Sequence, residues 1–193
     1  NVKYFAKGHR GFLFIGNYKS KKVVVKAKNP SSKAFGRIEN ESKWLKKLNK
    51  ISIGPILLYS KSDYFVYDFI DGDFILDYMK KSNKTKIKKL IKDIFIQMYK
   101  LDKLKVDKEE MHHPLKHVII AKNKPYLIDF ERAHYTNDPK NVTQFCQFVT
   151  GGHATHILSE KGIKINKTEV IELAKIYKSN MSSKNLKKII NLI

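Results

Sequence analysis

The stretch "KPYLIDFERAH", Lys124 to His134, decides how this chain is read. An apolar run, Leu127–Ile128, stops on the acid Asp129. A strand that delivers a carboxylate to its own end can hold a divalent cation beside a phosphate, because a hard oxygen ligand suits a hard cation. It is equally an ordinary way for a strand to meet solvent. Just upstream, "HVIIAKNKPYLIDF" (His117 to Phe130) holds two short apolar segments around Asn123–Lys124–Pro125. That pattern predicts a hairpin whose exit carries Asp129.

Working back toward the start, three segments read as strands: "VKYFAKG" from Val2, "GFLFIGNY" from Gly11 and "KKVVVKAK" from Lys21. They are aromatic and β-branched, with "NYKSKK" as a turn between the last two. A helix is predicted to start near Pro30–Ser31–Ser32, with Ile38, Trp44, Leu45 and Leu48 spaced for one buried face. "ISIGPILLYS" breaks that helix at Gly54–Pro55 and opens a strand, and "DYFVYDFIDGD" gives another that runs into a turn at Asp71–Gly72. From about Lys84 to Leu104, the residues Leu90, Ile91, Ile94, Phe95, Met98 and Leu101 recur at helical steps, with lysines on the other face. "EEMHHPLK" reads as an irregular loop, and Asn137 to Ile193 as about three helices.

The 193 residues are enough for one domain or two small lobes, and 42% hydrophobic with 30% charged residues is a globular composition. No apolar run approaches a membrane span, and no charged start leads into an apolar block, so neither a membrane segment nor a secretory leader is expected. One cysteine, Cys146, excludes an internal disulfide and fits a reducing, cytoplasmic setting. The net charge of +21 should attract polyanions. The cations are nearly all lysine, the arginines being Arg10, Arg37 and Arg132. Lysine is a point charge poor at bidentate base readout. Any RNA or ribonucleoprotein contact is therefore expected through the backbone, with weak sequence preference. Solubility or thermal tolerance would account for the lysines equally well.

Four further stretches carry candidate chemistry. Lys26 follows three valines in a strand that reads as packed on both faces. Glu41 lies on the following helix, with Glu39 as competitor. "FVYDFIDG" is an apolar strand leaving through an acid into a glycine turn, and "AKGHRGFLFIG" is a hairpin with Gly8, Gly11 and Gly16. Each has a blander reading as a solvated lysine, a surface acid, a strand end or a plain hairpin.

In this order the segments resemble the protein-kinase fold in its reduced, atypical branch. That branch holds the RIO kinases and the small kinase of the KEOPS complex, and the chain looks closest to its archaeal predicted serine/threonine kinases. The resemblance covers Gly8 to about Phe130. It implies an α+β, two-lobe fold: an N-lobe antiparallel sheet with one helix (residues 1–69) and a reduced, mainly helical C-lobe (70–193). Lys26 would meet the α- and β-phosphates of ATP, with Glu41 fixing its direction. Tyr67 would be the gatekeeper, and the Asp68 carbonyl and Ile70 N–H would read adenine. Gly8 and Gly11 would cover the phosphates, although the spacing is not G-x-G-x-x-G, and Arg10 sits at that tip. "LIDFE" resembles the D-F-G turn, with Asp129 on Mg²⁺, Phe130 as anchor and Glu131 replacing glycine. That replacement removes an easy positive φ and adds a further carboxylate.

The catalytic loop departs from the pattern. Kinases carry H-x-D and then an asparagine five residues later. Counted back from "HVIIA", the asparagine slot falls on His117, a second candidate metal ligand, and the aspartate slot on His112. No aspartate lies between Lys108 and Asp129. Either His112 is the base, or a loop two residues longer lets the carboxylate of Glu110 serve, or the protein binds nucleotide without transferring it. A zinc site on His112, His113 and His117 is a lesser alternative, because adjacent histidines rarely point the same way. The implied activity is transfer of the γ-phosphoryl of Mg-ATP to a hydroxyl, on a protein substrate or on the chain itself. A nucleotide-binding pseudokinase, an RNA-associated ATPase module and a small-molecule kinase are the alternatives.

Overall fold

The computed structural model describes residues 2–7, 11–31 and 36–193. Gly8 and Arg10, two of the expected phosphate-loop positions, lie outside the described residues. The chain divides into two compact units: residues 1–71 with Tyr126–Ala133, and Gly72–Pro125 with His134–Ile193. The protein is α+β.

The first unit is built on a five-stranded antiparallel sheet. Its strands are β1 (Val2–Lys7), β2 (Gly11–Tyr18), β3 (Lys21–Lys28), β4 (Leu57–Ser60) and β5 (Tyr64–Asp68), in the order β1-β2-β3-β5-β4. The valine run places β3 centrally: Val23 and Val24 point to opposite faces and both are buried. Gly11 faces Lys28 across the ladder, and a Cβ there would lie 2.8 Å from the Ala27 carbonyl oxygen, so this close approach needs glycine. Helix α1 (Arg37–Leu48) lies against β3, β4 and β5. Its expected apolar face is buried at Ile38, Trp44, Leu45 and Leu48. The described helix begins at Arg37, and Ser32, part of the expected start, lies outside the described residues. The Asn29 side chain accepts the Ser31 N–H, which makes a turn at that point instead.

The second unit is mainly helical. Its helices are α2 (Ile75–Lys81), α3 (Lys84–Lys103), α4 (Asn141–Val149), α5 (Gly152–Glu160), α6 (Lys167–Ser179) and α7 (Ser183–Asn191). The apolar stripe of α3 is fully buried, and its Phe95 meets Phe145 of α4 edge-on at 4.8 Å. Asn83, Asn166 and Ser182 cap α3, α6 and α7 through their side chains. Four helices follow residue 137, one more than the sequence pattern gives. The seven-residue α2 was not expected, because it buries only Ile75 and Met79 and so presents little periodicity.

Short strands complete this unit. β6 (Asp73–Phe74) pairs with β8 (Val118–Ala121), the partner of β9 (Lys124–Leu127), while β7 (Val106–Asp107) pairs with β10 (His134–Tyr135). The β8–β9 turn is Lys122–Asn123, both at positive φ, one residue earlier than expected. Lys124 and Pro125 belong to the strand itself, and Pro125 is tolerated because β9 is an edge strand. Among the described residues no helix is long and apolar enough to cross a membrane.

Candidate functional site

Three separated segments of the first unit converge on one ammonium group. β3 carries Lys26, α1 carries Glu41, and the segment after β9 carries Asp129. Lys26 Nζ donates to Glu41 Oε2 at 2.6 Å and to Asp129 Oδ1 at 3.1 Å. The lysine and glutamate side chains are 12% and 4% exposed and that of Asp129 is 35% exposed, so the cluster is deep at Glu41 and opens at Asp129. Glu39, the competitor, is a surface residue paired with Lys43 one helical turn on.

The electrostatics follow from that burial. Desolvation alone would lower the pKa of Lys26, but the carboxylates of Glu41 and Asp129 outweigh it and raise it above the ordinary lysine value. Burial pushes the Glu41 carboxyl up to about 7, against the pull of Lys26 and with the Asp129 carboxylate adding to the rise. Across β3 and β5, Lys26 stands opposite Phe65 and Val24 opposite Tyr67, so Tyr67 shares the lysine's face of the sheet. Burial first, then the Glu41 charge, raises the Tyr67 phenol.

The "IDFE" turn is held from α1. Asn40 Nδ2 donates to the carbonyls of Glu131 at 2.9 Å and Ala133 at 3.1 Å, and Arg37 also donates to Glu131. Phe130 is fully buried against Gly54, where φ is +81° and an added Cβ would come within 2.8 Å of Leu45. The positive φ expected to be troublesome at Glu131 falls instead on Asp129, at 62°. Aspartate tolerates that region better than most residues. One carboxylate oxygen from each of Glu41, Asp129 and Glu131 lies within 4.8 Å of the others, a group of hard ligands that could hold a cation.

At the end of β5, the Asp68 N–H donates to Ile56 and the Phe69 N–H to Lys22, and Ile70 follows this last ladder bond. Asp68 Oδ1 is a buried acceptor without a partner among the described residues.

The expected catalytic-loop residues belong to the second unit. Lys108 is 1% exposed, and its Nζ lies 3.5 Å from His117 Nδ1. The other ring nitrogen of His117 lies 3.5 Å from Glu110 Oε2. His112 is exposed and its ring tilts against that of His113, 4.8 Å between centroids. The structure therefore brings Glu110 and His117 together and leaves His112 on the surface.

Glu109 and Glu110 have consecutive positive φ values of 63° and 58°, and neighbouring groups hold the strained segment. The Lys108 N–H donates to Asn141, the Glu109 N–H to Asp107 and the Met111 N–H to Gln144. Asn141 is in turn fixed by Asp102, whose buried carboxylate also accepts the Tyr177 hydroxyl. Burial raises the pKa of Asp102, and the hydrogen bonds from Asn141 and Tyr177 oppose that rise.

Sequence reasoning missed Asn40, Asp102 and Asn141. A signal existed for Asp102, an acid beside Leu101 on the apolar stripe of α3. None existed for Asn40, whose partners lie more than 90 positions away.

The chain is 32% identical over 114 residues to an uncharacterized protein, MJ1211, of the archaeon Methanocaldococcus jannaschii. The match spans 58% of this chain and 97% of that protein. The chain belongs to the same family as that archaeal protein, whose description assigns no activity. No family model matches the chain.

Proposed function

We propose that the protein is an ATP-dependent phosphotransferase of the atypical kinase type, moving the γ-phosphoryl of Mg-ATP to a hydroxyl, that of a serine or threonine in a protein substrate or in the chain itself. The observation that carries this reading is the Lys26 ammonium held between Glu41 and Asp129. The pair aims a buried cation from the sheet, as phosphate recognition requires, and Asp129 is the more exposed acid of the two.

The donor set fits the implied groups. Asp129 and Glu131 offer oxygen ligands of the kind a magnesium ion takes, and at the end of β5 the Asp68 carbonyl and the Ile70 N–H would read the purine edge. When bound, the ion would neutralise phosphate charge. Lys26 would hold the phosphates, Glu41 would keep Lys26 extended, and Asn40 would fix the turn that presents Asp129. His117 in this reading is a neighbour of Glu110 rather than a metal ligand. Glu110 rather than His112 would orient the acceptor hydroxyl. It is partnered by His117 in a strained, well-supported segment, whereas His112 is exposed.

The test is incubation with Mg-ATP, followed by mass spectrometry of the protein and measurement of released ADP. Phosphate on serine or threonine, lost in Asp129→Asn, supports transfer. Absence of both phosphate and ADP in the wild type, with casein and with the chain itself as acceptors, contradicts it.

A further inference from the structure

We propose that the face formed by α3 and α7 binds the phosphodiester backbone of a nucleic-acid duplex. This does not rest on the nucleotide reading. Along α3, Lys88 and Lys92 stand one turn apart, about 6 Å, on one side of the helix, and Lys84, a turn earlier, donates to the Gly162 carbonyl. Along α7, Lys184, Lys187, Lys188 and Asn191 make up the exposed face, while Leu186 and Ile189 are buried. The two helices pack together and share a groove of about 400 Å³, lined on the α3 side by Lys88, Lys89 and Lys92 and on the α7 side by Asn191. The acid on this face is the half-buried Asp93, and Lys89 already pairs with it.

The placement of these charges distinguishes them from lysines scattered for solubility. Helices α1, α2 and α6 each carry an acid in the first turn, Glu39, Asp77 and Glu169, where the helix dipole is positive. Helices α3, α4, α5 and α7 carry none. Of these four, α3 and α7 open on lysines, Lys84 and Lys86 in one and Lys184 in the other, which add to the positive pole instead of offsetting it. The groove joins the first half of α3 to the last residues of α7, so the positive ends of the two helices are spread along the face, and an external anion running along it would offset both. An extended polyanion suits a face that continues along α3 and across to α7. The floor of the groove offers no exposed aromatic ring, since Phe95 is fully buried, so stacking of unpaired bases has no platform and the backbone of a duplex is the matching ligand.

The experiment is fluorescence anisotropy with duplex RNA and duplex DNA of several sequences over a salt series, without nucleotide, beside co-sedimentation with vesicles of anionic phospholipid. It compares wild type, the quadruple variant Lys88→Gln/Lys92→Gln/Lys187→Gln/Lys188→Gln, and a control, Lys19→Gln/Lys21→Gln/Lys46→Gln/Lys61→Gln, which removes the same charge from the first unit. Circular dichroism confirms that both variants fold. The α3–α7 variant should bind at least about tenfold more weakly at low salt, with the log–log salt slope reduced by about 3 to 4 at about 0.9 per lysine, and the control should change less than about threefold. Equal losses in both variants, no duplex binding at low salt, binding only to vesicles of anionic phospholipid, or a sequence preference that survives high salt would each overturn the proposal.

Discussion

Lys26 and Asp129, 103 positions apart in the sequence, are joined by an ammonium–carboxylate contact of 3.1 Å, and the same ammonium lies 2.6 Å from Glu41. A buried lysine between two acids is over-determined: remove it, and a carboxylate 4% exposed loses its counter-charge. Lys26→Met should therefore destabilise the protein by about 3 kcal/mol, in the range for breaking a buried pair from one side. Lys26→Met/Glu41→Gln should recover part of that loss. Urea unfolding of the three proteins measures both, and an undiminished stability in Lys26→Met would show that the pair is not closed in solution.

The same cluster sets a pH dependence. The Glu41 carboxyl is raised from an ordinary value of 4.5 to about 7 by burial. The folded state then binds the proton more tightly than the unfolded state, so the contribution of Glu41 to stability is full below about 4.5 and declines as pH rises through 7. Lys26 is raised as well, so its contribution is full at and below neutral pH and is lost only in strong alkali. Melting temperature should fall from pH 5 to pH 7.5, and Glu41→Gln should flatten that slope. A slope unchanged by the substitution would assign it to another group.

In the second unit, Asp102 accepts from Asn141 at 2.7 Å and from Tyr177 at 2.9 Å, all three being buried. Asp102→Ala strands both donors and should cost about 3 kcal/mol or more. Because Asn141 accepts the Lys108 N–H, hydrogen exchange at Lys108 should accelerate more than exchange in the middle of α3. Uniform acceleration would mean that the network supports the whole unit rather than the loop.

Much of the first unit was legible in the sequence because its signals are local. The valine run gave β3, the spacing of Trp44, Leu45 and Leu48 gave the buried face of α1, and "LIDF" gave a strand exit with a buried phenylalanine. The order of strand lysine, helix glutamate and strand-end aspartate brought out Lys26, Glu41 and Asp129 as candidates. What stayed hidden depends on partners remote in sequence. Asn40 matters only because the carbonyls of Glu131 and Ala133 come to it, and Asn141 only because Asp102 and Lys108 do. The choice between Glu110 and His112 was open for the same reason: register counting cannot tell which side chain meets His117.

That choice has its own test. If the protein turns over ATP, Glu110→Gln should reduce kcat by about 100-fold or more, the scale of a positioned base, while His112→Gln stays within about threefold of wild type. The wild-type pH–rate profile should lack a histidine limb near 6.5. A steep fall below pH 7 that vanishes in His112→Gln, with Glu110→Gln still active, would reverse the assignment.

The most direct test of the central claim is calorimetric titration of Mg-ATP into wild type, Lys26→Ala and Asp129→Asn, with and without the metal. Binding to the wild type should be metal-dependent, at least about tenfold weaker in Lys26→Ala, and in Asp129→Asn it should no longer respond to magnesium. Affinity equal in all three proteins, or no binding to the wild type at millimolar Mg-ATP, would contradict that claim.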